Sequence, residues 1–191
     1  MFSPLFYRLQ KRCERGGGMQ IARQRRRVTP EHLIHCLPAL GNVLYMPMRS
    51  GVQPVVNMPK GFLVEAISLA PLLRASWLVV ASEITVDGPR EWIDCMDADY
   101  HTRARMHLLP DTDYLAWDAL LGCGDRVPDS LAVASTPAAA SAQMLRFHTY
   151  RMAGLQILGA QLATWPSTLS RNLAGRIARD QALPLQLATS G

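Results

Sequence analysis

His101-Thr102-Arg103-Ala104-Arg105-Met106-His107-Leu108 is the stretch on which the reading of this chain turns. Successive side chains of a β-strand point to opposite faces, so Thr102, Ala104, Met106 and Leu108 line an apolar side and His101, Arg103, Arg105 and His107 the other. Two imidazoles interleaved with two guanidiniums offer borderline nitrogen donors beside fixed positive charge. That combination suits an anionic ligand that also carries a metal. The competing reading is the solvated outer face of a half-buried sheet.

Immediately upstream, Trp77-Leu78-Val79-Val80-Ala81 is a β-rich apolar run, Asp87-Gly88-Pro89 a polar turn, and Glu91–Met96 a second strand. Asp97-Ala98-Asp99 turns the chain into the histidine–arginine strand, which completes an antiparallel meander. Further back, Thr29-Pro30-Glu31 starts a helix that runs to about Leu37 and carries His32 and His35 three residues apart. Val43–Val56 reads as extended, interrupted by Pro47 and Pro54, with a turn at Ser50-Gly51. Phe62–Ala70 fits a short helix or a strand, ended by Pro71.

Downstream, Pro110 ends the sheet, and Asp111-Thr112-Asp113 caps a helix that carries Tyr114, Leu115, Trp117, Leu120 and Leu121 as far as Gly122. Residues 122–137 read as a loop. Leu145, Met152, Leu155 and Leu162 lie at three- and four-residue steps, so residues 138–165 are expected to be helical, with His148 packed on that helix. Pro166-Ser167-Thr168 caps another helix through about Arg179, and Leu183–Gly191 is expected to fray. The fold class is α+β: a curved antiparallel sheet flanked by helices, with C-terminal helices from about residue 138.

The 191 residues suit one domain, and 49% hydrophobic with 18% charged residues is the composition of a globular core, which excludes fibrous and low-complexity classes. No apolar run is long enough to span a bilayer or to form the core of a signal peptide, so the expected location is cytoplasmic. Cys13, Cys36, Cys95 and Cys123 form no C-x-x-C pair, which rules out a zinc ribbon or a dense disulfide framework. The net charge of +5 is carried almost wholly by arginine, since only Lys11 and Lys60 are lysines. Arg8, Lys11, Arg12, Arg15, Arg23, Arg25, Arg26 and Arg27 crowd the first thirty residues. Residues 1–28, with Gly16-Gly17-Gly18 ahead of Met19, are read as a basic flexible leader to a single domain at 29–191. No G-x-S-x-G, H-E-x-x-H or phosphate-cradling glycine loop occurs, which excludes the hydrolase classes those motifs define.

Arg49-Ser50-Gly51-Val52-Gln53, then Trp77-Leu78-Val79-Val80, then Met96-Asp97-Ala98-Asp99, and finally Tyr114, Trp117 and Leu120 follow one another over residues 33–121. In order and spacing this series resembles one repeat of the HemS/ChuS haem-utilisation proteins and their single-repeat relatives ChuX and HutX. The resemblance implies a cytoplasmic haem-binding protein that receives haem after import and hands it on, with donor and acceptor proteins as partners and a homodimer as its assembly. Some members degrade haem, so an enzymatic role stays open beside the transfer role. The chain departs from the family pattern at Pro54-Val55-Val56-Asn57, and the family's axial histidine has only His32 and His35 as nearest counterparts.

Haem needs apolar walls, an axial donor and cations for its propionates. Six residues of strand separate His101 from His107 by roughly 20 Å, too far for both to ligate one iron. One of the two is therefore the metal ligand, His107 with Arg105 or His101 with Arg103, and His107 is preferred as the deeper. Arg49 is a further propionate candidate and His35 a further haem contact, while Met46 and Met48 read as strand packing. The competing class is a nucleic-acid-binding or regulatory module built on the arginine arm. Nucleic acid is not expected on sequence grounds, because beyond Phe6 and Tyr7 no aromatics interleave with the basic residues.

Overall fold

The computed structural model describes residues 22–49, 59–85, 88–122, 126–127 and 137–188. In chain order these form β1 (Ala22–Arg27), α1 (Pro30–Cys36), a 3₁₀ turn (Leu37–Leu40), β2 (Asn42–Pro47), β3 (Phe62–Val64) and a 3₁₀ segment (Ile67–Arg74). There follow β4 (Trp77–Thr85), β5 (Gly88–Met96), β6 (Thr102–His107), α2 (Tyr114–Gly122), β7 (Arg126–Val127), β8 (Ala142–Met152), β9 (Leu155–Leu162), α3 (Thr168–Asp180) and β10 (Leu185–Gln186). The strands make one sheet in the order β3-β9-β8-β2-β6-β5-β4-β1-β7, with β10 beside β8. Only the β3–β9 and β10–β8 pairings are parallel, so the architecture is α+β with a mostly antiparallel sheet.

The meander read from the sequence is present as β4–β5–β6, with Leu78 opposite Cys95 and Ile93 opposite Met106. Alternation sorts its side chains as expected. Leu78, Val80, Ile93, Cys95, Ala104 and Met106 join Val43 and Tyr45 of β2 on one face, against Leu33 and Ile34 of α1 and Trp117 and Leu120 of α2. The other face is divided. Under α3 it is apolar, with Leu44, Met46 and Met144 against Ala174, Ile177 and Ala178. Beyond that helix it is rich in arginine.

Local signals fix the helix starts. Thr29 Oγ1 accepts from the His32 N–H at 3.3 Å, Asp113 Oδ1 from the Ala116 N–H at 2.9 Å, and Ser167 Oγ from the Ser170 N–H at 3.2 Å. Each satisfies a donor that the first helical turn leaves without a partner. Pro71 does not end its element but lies inside the 3₁₀ segment, whose looser hydrogen-bond demand accommodates it.

Three expectations are corrected. Residues 138–165 are not helical: β8 and β9 form a hairpin, closed by Ala153 and Gly154 at φ 51° and 79°, and His148 is a strand residue. Two positive φ values define the turn whose twist matches a hairpin. The C-terminal helical layer is thus the single helix α3. Ala22–Arg27, assigned to the flexible leader, is a strand paired with β4 along its length, from Ala22 opposite Ser82 to Arg27 opposite Trp77. Likewise, the tail expected to fray supplies Leu185–Gln186 alongside Ala142–Gln143. The leader up to residue 21, Ser50-Gly51-Val52-Gln53, Asp87 and most of the 122–137 loop lie outside the described residues.

Candidate functional site

β6 carries Arg103, Arg105 and His107, with His101 just ahead of it, and there the two ends of the strand part company. His107 is opposite Trp92 on β5 and Leu44 on β2, and only 7% of it is exposed. Its ring lies 5.9 Å from the Trp92 ring, and its Nδ1 is buried without a hydrogen-bond partner. Burial, with the positive charges of Arg105 and Arg90 added, holds its pKa down at about 3. The imidazole is therefore neutral across the physiological range, with Nδ1 left without a hydrogen bond.

Next to it, Arg105 Nε and Nη2 donate to Asp94 Oδ1 and Oδ2 at 2.6 and 3.0 Å. The Trp92 indole N–H reaches Asp94 Oδ2 at 3.3 Å, and the Arg105 guanidinium carbon lies 5.2 Å from the Trp92 ring centre. The fork fixes the guanidinium in place, and its Nη1 takes no part in the pair. Together with Met46 and Met48 of β2, these residues line a cavity of about 300 Å³. Arg23 of β1, Glu83, Arg90, Ala139, and Ile177 and Asp180 of α3 are also in its wall. Arg90 donates to Asp180 at 2.8 Å, which ties the last turn of α3 to β5. Arg23 is exposed and makes no ion pair among the described residues.

At the other end of β6, His101 is 59% exposed in its side chain and lies 3.7 Å from Asp97. Asp97 is the organising group there. Its Oδ1 accepts the Asp99 and His101 backbone N–H groups at 3.0 Å each, and its Oδ2 accepts Arg103 Nε at 2.6 Å. Burial pushes this carboxyl up, but the hydrogen bonds from His101, Arg103 and Asp99 outweigh it and hold the pKa below the ordinary value. Asp97-Ala98-Asp99 is thus a turn closed by its own first side chain. Arg103 stands at a bulge, since Cys95 pairs with Ala104 and Met96 with Thr102.

The six residues singled out in the sequence are therefore not one site. Only Arg105 and His107 line the cavity. Arg103 and Arg105 are not free cations, because Asp97 and Asp94 sit within salt-bridge distance of each. His35 is exposed on α1, across the sheet from His107, with Nδ1–H donating to the Glu31 carbonyl at 2.8 Å. Arg49 is exposed beyond β2. Sequence reasoning missed Arg23, Arg90 and Trp92. Arg23 was hidden because Ala-Arg-Gln-Arg-Arg-Arg is polar at both parities and shows no alternation. Trp92 could have been found by extending the meander's register from His107. No family model matches the chain, and no curated protein sequence matches it.

Proposed function

We propose that the protein binds haem at the His107 cavity and takes part in haem utilisation as an intracellular carrier. The observation that carries this reading is the neutral imidazole of His107, its Nδ1 without a hydrogen bond, in the wall of a cavity that three arginines also line. Burial, with the charges of Arg105 and Arg90 added, keeps a proton off His107 and leaves a neutral nitrogen donor beside arginines, which suits an iron porphyrin that is anionic as a whole through its two propionates. In this reading His107 supplies the axial nitrogen. Trp92, Met46, Met48 and Ile177 supply apolar wall, and Arg23 and the unused Nη1 of Arg105 meet the propionates. A cavity of about 300 Å³ is at the small end of ligand sites and would seat one edge of the macrocycle. A partly enclosed seat suits release to an acceptor better than chemistry on the ring.

Hemin titration followed by visible absorbance tests the reading, with free hemin and an unrelated basic protein as controls. A saturable Soret shift near one equivalent is expected, lost or strongly altered in His107→Ala and weakened in Arg23→Ala. A shift that survives unchanged in His107→Ala would sink the assignment of the ligand. No shift beyond the controls would sink the haem reading itself.

A further inference from the structure

The objection to nucleic acid drawn from the sequence, that the basic residues lack interleaved aromatics, is removed by the pairing of β1 with β4. Arg27 stands opposite Trp77 in that register, with its guanidinium carbon 5.9 Å from the Trp77 ring centre. Trp77 stacks on Tyr100 at 5.4 Å with 25° between the rings. Arg25 lies 5.1 Å over the Tyr100 ring. The result is a ladder of guanidinium and aromatic planes drawn from β1, β4 and the β5–β6 turn. Tyr100 is held in it at φ 63°, a left-handed conformation that a tyrosine rarely adopts and that its surroundings must impose.

Arg25 is buried, whereas Arg27 is exposed, so the guanidinium of Arg27 is the accessible rung. At 5.9 Å from the Trp77 ring centre, it offers a planar cation to stack on a base and N–H edges to bind a phosphate, the two contacts by which single strands are held without sequence readout. Arg23, four residues from Arg27 on the same face of β1, belongs to the wall of the His107 cavity, and Asp97 is spent on Arg103. Asp99, exposed at the turn tip, is the acid that opposes an anion here.

We propose that this ladder is a binding platform for single-stranded nucleic acid, seated on Arg27 and Trp77 and separate from the His107 cavity. The proposal is independent of haem.

Fluorescence anisotropy of a labelled oligouridylate with the full chain tests it, with circular dichroism to show that each variant is folded. Saturable binding that weakens steeply with salt is expected. Arg27→Ala should weaken it by about tenfold and Arg27→Lys should recover little, because an ammonium has no plane to stack. Asp99→Asn should tighten it by roughly twofold through lost repulsion. Absence of binding at low salt would overturn the proposal. So would full recovery in Arg27→Lys, equal affinity for a duplex, or stronger capture by anionic phospholipid vesicles than by the oligonucleotide.

Discussion

The two ends of β6 carry the same pair of residue types and do opposite things. His107 is buried beside Arg105, its Nδ1 without a hydrogen bond. His101 is exposed beside Arg103, at a turn where Asp97 takes up three hydrogen bonds. Alternation alone makes these ends equivalent. What separates them is what lies across the sheet face: Trp92, Met46 and the last turn of α3 at one end, a solvent-facing turn at the other. Strand periodicity therefore reports which way a side chain points and is silent on how deep it lies.

Four measurements can break or sharpen this contrast. The largest effect is expected in haem titrations, where His107→Ala removes or displaces the Soret shift and His101→Ala leaves it as in the parent. Next is stability: Asp94→Ala strands the Arg105 guanidinium at a site where the carboxylate is 5% exposed, at a cost of about 3 kcal/mol in chemical denaturation. Asp97→Ala should cost about 2 kcal/mol, although that carboxylate is as buried as Asp94, at 4% exposed. The two backbone donors it leaves belong to the exposed residues Asp99 and His101, where water can replace it. Equal losses would erase the difference between the two ends.

Third is pH. The folded pKa of His107, about 3, lies below its ordinary 6.5, so the unfolded chain takes up a proton first. Stability is fully present above 6.5 and falls as the pH drops toward 3, by about 2 kcal/mol on reaching roughly pH 5. His107→Gln should remove that part of the acid slope, and His101→Gln should not. Smallest is the effect of His101→Ala at neutral pH, expected to lie within about 0.5 kcal/mol of the parent because the side chain is mostly in water.

The meander and the caps at Thr29, Asp113 and Ser167 were legible because each is written locally, in alternation or in one capping residue. The β8–β9 hairpin was not. Met144, Leu145, Met152, Leu155 and Leu162 are helix formers at helical spacing, and Ala153-Gly154 is a weaker hairpin signal than Asn-Gly. Tertiary pairing with β2 overrode the propensity. The cavity was half legible: β6 contributed Arg105 and His107, but the partners that make them a site come from strands and a helix distant in sequence. Asp94 and Asp97, which absorb the two arginines, were read as a strand residue and a turn residue, since ion pairing across a sheet leaves no mark at fixed spacing.

The position of β2 also sets the order in which the molecule can be built. Leu44 pairs with His107 on one side and with Met144, about a hundred residues further along, on the other. A growing chain that has reached β6 still has one edge of β2 open, and that edge waits for β8 to be synthesised. The cavity comes later still, because its wall runs from Arg23 to Gln181. A ligand therefore has nothing to hold until α3 has docked. It cannot serve as a nucleus for the nascent protein, and it stabilises a structure already assembled without it.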